Sequence, residues 1–538
     1  MTLRVLAVVD GPEARPWDAR CLETLRTCPN VHLTVVAIPN GPRRLTVAER
    51  LATVLWHRGM LARAPLAGTP SIAEIGDEGL PAADLIVDLR DVPRARRPVT
   101  AHHGTVYRSA DARGGLPFFG QILSGSPTVE AELRLIDRTG ITRTLRWGRF
   151  LFNYSYDKTL RMAADTYCVW LRTFIEGLGH EDASRYRGAT QSESPNERVG
   201  LGEVLRFSWL CALHLLQFAG RLFFVDTSWD IGISRAEPAD VVESGRLGDV
   251  RWLHPQERRP FYADPFYLRS GDREYVLCEG MPRGSRTGVI EELELTPDAR
   301  VASTRVVLSN GSHLSYPFIF EHDGATYAVP ESNAAGRVDA YAIAADGTWR
   351  YHKTLLEDLD ACDSTIFRHD GKWWLFCTQR STGSNLHLYA YVSNDPLGLW
   401  RPHRANPIKT DVRSARPAGG IFEHNGALYR PAQDCGDSYG GALVVHRIVS
   451  LDESTYEEVP VRTLRPLAPY MRGLHTLTLG PGIVIIDGRR DHISLSLALW
   501  QCWRLLWRLL GRVRRSETAS HGPQRCRRSP SAAGDAGH

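Results

Sequence analysis

The feature that most constrains this chain is an internal repeat in its second half. Four stretches share one plan: Asp264-Pro-Phe-Tyr-Leu-Arg-Ser-Gly-Asp-Arg-Glu-Tyr275, Tyr316-Pro-Phe-Ile-Phe-Glu-His-Asp-Gly-Ala-Thr-Tyr327, Asp363-Ser-Thr-Ile-Phe-Arg-His-Asp-Gly-Lys-Trp-Trp374 and Ile421-Phe-Glu-His-Asn-Gly-Ala-Leu-Tyr429. Each reads as a strand, a tight Asp-Gly or Asn-Gly type turn (Gly-Asp in the first copy) and an aromatic strand, which is a hairpin signal. The anchors Tyr275, Tyr327, Trp374 and Tyr429 are 52, 47 and 55 residues apart. A period near fifty with several strands per unit points to propeller blades. A weaker fifth copy runs from His475 to Gly488, and Phe223–Gly232 is a spare strand ahead of the first. That strand is expected to complete the last blade and close a five-bladed ring without exposed edges.

The repeat predicts where polar groups converge. Inner strands of a propeller face one central channel, so matched positions meet at its mouth. The residues opening the inner strands are Asp264, Tyr316, Asp363, Arg416 (with two extra residues, read as a bulge) and His475. A purely structural repeat has no reason to hold such residues there. A second ring, four residues after each anchor, holds Glu279, Glu331, Thr378 and Gln433, with Asp434 adjacent. Clustered carboxylates repel and hold protons, as acid/base attack on a glycosidic bond requires. Asp264, Asp363 and Glu331 are therefore the expected catalytic residues. Glu279, His313, Tyr316, Arg416, Gln433, Asp434, Tyr439 and His475 are expected to bind substrate. Tyr262, Phe266, Tyr316 and Tyr439 are the aromatics available to stack on sugar rings. Arg430-Pro-Ala-Gln-Asp-Cys435 reads as pocket lining or as an inter-blade ion pair.

Residues 222–492, carrying this repeat, follow an expected α/β domain over 1–150 and a helical connector over 151–221. In the first part, strands at Arg4–Val9, Val31–Ile38 and Asp84–Asp88 alternate with helical patterns at Cys21–Thr27 and Leu45–Ala64. This alternation predicts a parallel sheet, with Asp10, Gly11 and Asp88 at its ligand-binding carboxyl edge. No glycine-rich nucleotide motif is present, and no cofactor is expected. The connector reads as helices at Ser155–Leu178 and Leu201–Arg221 around a polar linker. Arg206, His214, Gln217 and Arg221 are spread too evenly along the second for a lipid-spanning helix.

Charge adds a location. The formal net charge is +4, but from Gln501 onward eight arginines stand against two acids, a net of +6 that leaves the body slightly acidic. The body is thus no nucleic-acid surface. Residues 493–538 read as an amphipathic basic helix and a disordered tail. Ile493–Leu510, rich in Leu and Trp, suits an anionic membrane surface through residues 493–515. A packed terminal helix is the competing reading. Ten scattered cysteines without a C-x-x-C pair, and an N-terminus without a signal-peptide layout, predict the cytoplasm, with contact at the inner face of the cell membrane. No metal site is expected. Only four basic residues are Lys, a bias fitting a GC-rich genome.

Two resemblances sharpen these readings. Gly115-Leu-Pro-Phe-Phe-Gly-Gln-Ile-Leu-Ser-Gly-Ser-Pro127 resembles a formyltransferase motif, but the Asn-x-His of that family is absent. The resemblance implies a degenerate formyltransferase-like domain. Ala263-Asp-Pro-Phe266, Tyr316-Pro-Phe-Ile-Phe320 and Asp363-Ser-Thr-Ile-Phe367 resemble the five-bladed propellers of glycoside hydrolase family 43. Ser414-Ala-Arg-Pro-Ala-Gly-Gly-Ile-Phe422 through Tyr439-Gly440 is more similar still to the N-terminal domain of plant glucosamine inositolphosphorylceramide transferases and their bacterial counterparts. The hydrolase resemblance implies Asp264 as general base and Asp363 as the carboxylate that tunes the acid. It expects a Glu acid in the fourth blade, where Arg416-Pro417 stands, which leaves two alternatives: Glu331 or Glu279 substitutes, or hydrolysis has been lost. The function expected is glycosidase-like or glycosyl-transfer chemistry on a glycan or glycolipid in a bacterial cell. The alternatives are a non-catalytic glycan-binding module, and formyl transfer to an amino sugar by the N-terminal domain.

Overall fold

The computed structural model describes residues 2–9, 13–37, 64–65, 73–74, 81–90, 101–110, 112–113, 116–152, 155–178, 187–188, 199–254, 261–281, 287–494, 496–497, 499 and 501. Residues 1–216 and 227–490 form one compact unit, and 217–226 with 491–538 form a second. Asp10, Gly11, the helix expected at 45–64 and most of the C-terminal helix lie outside the described residues.

The N-terminal sheet has eight strands. Ala73–Glu74, Val31–Ala37, Leu3–Val9, Leu85–Asp88 and Thr105–Ala110 lie side by side and parallel. Thr128–Ile136, Thr142–Leu151 and Arg187–Gly188 extend this sheet antiparallel. The sheet is therefore mixed, not purely parallel as the sequence pattern suggested. The antiparallel pairing of Thr128–Ile136 with Thr142–Leu151 has a local cause: Asp137-Arg-Thr-Gly140 closes a hairpin, with Gly140 at φ 83° and the Asp137 carboxylate accepting from the Thr139 and Ile141 amides. A short hairpin can join only antiparallel strands.

Helix Tyr156–Gly177 starts at Ser155, whose Oγ accepts from the Lys158 amide at 3.4 Å. It buries Tyr156, Leu160, Ala163, Tyr167, Trp170 and Phe174 in the same core as the sheet and helix Pro16–Thr27. The segment read as a connector thus supplies a layer of the N-terminal fold. Leu116–Pro117 pairs with Ala112–Arg113, and the Pro117 carbonyl accepts from the buried Tyr156 hydroxyl at 2.6 Å. Asp88 holds Arg90 bidentately, at 2.9 and 2.7 Å.

Five sheets make the propeller, four of four strands and one of five. The first blade comprises Tyr262–Ser270, Arg273–Gly280, Val289–Leu295 and Val301–Leu308, and the second Ser315–His322, Ala325–Glu331, Val338–Ile343 and Trp349–Leu356. Ala361–His369, Lys372–Gln379, His387–Ser393 and Arg401–Pro402 form the third, with Lys409–Thr410 added on His387–Ser393. The fourth is Phe422–His424, Ala427–Asp434, Ala442–Leu451 and Tyr456–Leu464. The fifth joins Leu477–Gly480 and Ile483–Ile493 to Val225–Ser234 and Arg251–Trp252, so the strand before the first copy closes the ring. The turns account for the repeat. Asp323-Gly324, Asp370-Gly371 and Asn425-Gly426 all have positive φ at both positions, as tight hairpins of this kind require.

The N-terminal layer is clamped to the third blade. Trp170 Nε1 donates to Thr410 Oγ1 at 3.3 Å, Thr166 Oγ1 meets His387 Nε2 at 3.2 Å, and the Val412 amide donates to the Arg149 carbonyl at 3.0 Å. A cleft of about 930 Å³ opens at this seam, lined among others by Arg146, Trp147, Lys409, His446 and Glu458. Glu458 is already held by Arg430, Lys409 and Tyr456. Arg430 itself thus serves an ion pair, here within its own blade.

Candidate active site in the propeller mouth

The first three inner strands are built alike at their entrance. Each carries a register shift, at Ala263/Phe266, Ser315/Phe318 and Cys362/Thr365. Inside each bulge one residue adopts left-handed backbone: Asp264 at φ 52°, Tyr316 at φ 44° and Asp363 at φ 53°. Such conformations cost roughly 1–3 kcal/mol each for residues other than glycine and persist where surroundings over-determine them. Here carboxylates do so. The Asp264 amide donates to Asp487 Oδ2 at 3.2 Å, the Tyr316 amide to Asp264 Oδ2 at 3.3 Å, and the Asp363 amide to Glu331 Oε2 at 2.9 Å.

The side chains converge from all five blades. Arg416 donates to both oxygens of Asp363 at 2.6 and 3.1 Å and lies 3.6 Å from Glu331. Gln433 Nε2 donates to Asp363 Oδ2 at 2.8 Å and to the Pro417 carbonyl at 3.0 Å. The Tyr316 hydroxyl meets Thr365 Oγ1 at 2.8 Å and accepts from the Gly419 amide at 2.8 Å. Gly419 sits at φ 125°, and a Cβ there would meet the Leu477 carbonyl oxygen at 1.9 Å, so only glycine fits. His475 bridges two acids, with Nδ1 2.5 Å from Asp487 and Nε2 3.4 Å from Asp264. Thr476 Oγ1 donates to Asp264 Oδ1 at 2.9 Å. His475 also packs on Trp229 at 4.0 Å between ring centroids.

Burial and charge separate the acids. Burial pushes Asp264 up to about 6, against the pull of the His475 cation. Burial pushes Asp363 to about 7, against Arg416. Glu279 rises well above the carboxylate range, first from burial and then from the charges of Asp264 and Glu331. Burial opposes the charge on His475, yet Asp487 and Asp264 outweigh it and hold the imidazole above its usual range. The His475 cation thus favours the ionised form of Asp264, while burial and the neighbouring carboxylates favour the protonated form of Glu279. His313 Nδ1 accepts from the Gly288 amide at 2.9 Å, which leaves the hydrogen on Nε2, 3.4 Å from Glu279. The His313 side chain is 44% exposed and links this acid to solvent.

The structure thus brings Asp264, Tyr316, Asp363, Arg416, Gln433, Glu331 and His475 into one network, with Glu279 and His313 beside it. Tyr439 is 40% exposed and lies over Arg416, 5.3 Å from its Cζ. Asp434 does not join. It points to the other face of its strand and pairs with Arg413 at 3.0 Å. Thr378 donates to the Ser384 carbonyl instead of entering the ring. Phe266 is core, packed against Tyr316 and Phe318, and Tyr262 stacks on His254. The Tyr316 ring is fully buried, so Tyr439 is the exposed aromatic of the four. Sequence reasoning missed Asp487; its signal was an acid ending the apolar run Ile483-Val-Ile-Ile. Asp264, His475 and Asp487 offer ligand atoms within 4.8 Å of one another, a spacing a metal ion could use. A cation there must displace the proton that His475 holds.

Residues 254–467 match a family model described as glucosamine inositolphosphorylceramide transferase 1, N-terminal. Glucosamine inositolphosphorylceramide transferase 1 of Arabidopsis thaliana is 36% identical over 208 residues, which are 37% of this chain and 27% of the plant protein. Its counterpart from Oryza sativa subsp. japonica is 35% identical over 208 residues, 37% of this chain and 28% of that protein. The chain thus spans little more than a quarter of the curated relatives it matches. Among solved structures, the catalytic domain of a Coprinopsis cinerea GH62 α-L-arabinofuranosidase aligns at 12% identity and TM-score 0.33, over 43% of this chain and 92% of that one. A GH43_1 enzyme from Xanthomonas citri aligns at 12% identity and TM-score 0.32, over 45% and 92%.

Proposed function

We propose that the propeller mouth binds a glycan or glycolipid and acts on it by proton transfer, with Glu279 as acid and Asp264 as base. One observation carries this: two buried carboxyl groups of the same mouth stand in different fields, Asp264, at about 6, beside the His475 cation that pulls it down, and Glu279 beside the charges of Asp264 and Glu331 that push it up. Divergent environments of this kind are how one site runs acid and base chemistry together. Glu331 is the weaker candidate for the acid, because Arg416 and the Asp363 amide already hold it. Asp363, clamped by Arg416 and Gln433, sets the field at the ring. Tyr439 offers an exposed ring face to a sugar. The plant relatives are named for glucosamine and inositolphosphorylceramide, which supports a substrate of amino-sugar or glycolipid class.

A second reading rests on Arg416. A cation stands in the fourth blade where the hydrolase pattern expects an acid, which suits a mouth that holds sugars without cleaving them. A glycan array followed by product analysis of the bound ligands decides. The proposal predicts turnover that Glu279→Gln abolishes while binding persists. Saturable binding without product from the wild-type chain gives the second reading, and no binding at all refutes both.

A further inference from the structure

Helix Leu201–Phe224 turns its apolar side outward. Leu201, Leu205, Trp209, Leu215 and Leu216 are exposed, Trp209 and Leu216 by 64% and 65%, while only Val204, Phe207 and Cys211 are buried. Phe218, Leu222 and Phe224 continue the exposure through the last turns. Soluble monomers rarely leave a contiguous face of this size in water. At 1.5 Å per residue the helix is about 36 Å long, enough for the roughly 30 Å of a bilayer's hydrocarbon. Length and composition alone fit a crossing.

Connectivity excludes it. The chain enters the helix from Val199, buried in the N-terminal core, and leaves it into Val225–Ser234 of the fifth blade. The N-terminal layer and the propeller are clamped together by Trp170–Thr410 and Thr166–His387. A helix whose two ends return to one clamped body cannot place that body on both sides of a membrane. It can lie along the surface.

The polar chemistry selects lipid as the partner. Arg206 and Arg221 are exposed on the helix, and Glu203 is its one acid. In the second unit the Phe224 carbonyl accepts from the Ser494 amide at 2.8 Å, so the C-terminal sequence starts at the helix end, with Ile493 86% exposed. That sequence brings Trp500, Trp503 and Trp507, then the arginine-rich tail. Exposed Leu and Trp beside excess Arg is the composition that partitions into an anionic interface. We infer that helix 201–224 lies in the plane of an anionic membrane and is the main anchor, with residues 493–515 as a second contact.

The test uses the full chain and sedimentation with vesicles of phosphatidylcholine, with and without 30% phosphatidylglycerol. The wild type is expected to sediment with the anionic vesicles and to be released by alkaline carbonate. Leu205→Ser/Trp209→Ser/Leu216→Ser should lower the affinity at least tenfold while circular dichroism stays unchanged, since all three side chains are exposed. Deleting residues 493–538 should weaken binding less. Wild-type affinity in the triple variant overturns the inference, because the tail alone then suffices. Retention after carbonate overturns the in-plane placement. Absence of wild-type binding to either vesicle overturns it altogether; a dimer that the triple variant dissociates would then identify a second copy as the cover.

Discussion

Replacing Arg416 by Leu tests whether the ring is one electrostatic unit. Arg416 is 8% exposed, Asp363 1% and Glu331 7%, so water does little to screen them. The guanidinium reaches Asp363 at 2.6 and 3.1 Å, Glu331 at 3.6 Å and the Asn385 side chain at 3.3 Å. Removing one partner of such a buried pair costs about 3–5 kcal/mol, because the other charge is left without compensation. The loss depends on pH in a definite direction. Asp363 already titrates near 7 with Arg416 opposing the rise, and goes higher without it. A carboxyl whose folded pKa exceeds its unfolded value of about 3.9 contributes stability that is complete below that value and disappears as pH climbs through the folded pKa. Arg416→Leu should therefore lose about 3–5 kcal/mol at pH 8 and clearly less at pH 5, where Asp363 binds a proton. Urea unfolding followed by tryptophan fluorescence at both pH values measures this. Asp363→Asn in the same chain should restore at least about 2 kcal/mol at pH 8, the coupling expected of contacting charged partners. A loss under about 1 kcal/mol at pH 8, or an equal loss at both pH values, would refute the reasoning.

Three further outcomes follow. Activity should rise with pH through about 6 as Asp264 ionises, and His475→Gln should move that limb to higher pH, since it removes the cation that holds Asp264 down; pH–rate profiles show both. Tyr439→Ala should weaken saccharide binding roughly 2- to 10-fold in calorimetry, from a stacking contribution of about 0.5–1.5 kcal/mol, and leave the melting temperature unchanged. Trp170→Ala should destabilise the chain by about 3–5 kcal/mol in denaturant titration and expose the seam with the third blade to proteolysis, because the indole is buried and ties that blade through Thr410.

The propeller was legible because its signals are local and recur. Asp-Gly and Asn-Gly turns fix hairpins, and hairpins at one period place their first residues on one axis, so Asp264, Tyr316, Asp363, Arg416 and His475 could be matched by counting. Counting could not resolve alternation. Gln433 and Asp434 are neighbours, yet successive strand residues face opposite sides, and only Gln433 enters. Nor could it find Asp487, which reads as a turn acid but is fully buried against His475. The left-handed backbone at three matched positions depends on carboxylates from other strands and has no sequence signature for Asp, Tyr and Asp together. In the N-terminal sheet, the antiparallel pairing of Thr128–Ile136 with Thr142–Leu151 hung on one turn, Asp137 to Gly140. For helix 201–224, the scattered polar residues argued against a lipid-spanning helix, but only the structure shows which side chains face outward.

The central claim is that the ring of the propeller mouth is where a sugar is held and worked on. A crystal structure of the Glu279→Gln chain soaked with the best array ligand tests it most directly. The account predicts a sugar ring over Tyr439, with an oxygen within hydrogen-bond distance of residue 279 and another near Asp264. A ligand seated in the cleft at Trp147 and Lys409, or at the carboxyl edge of the N-terminal sheet, with the mouth empty, would contradict it.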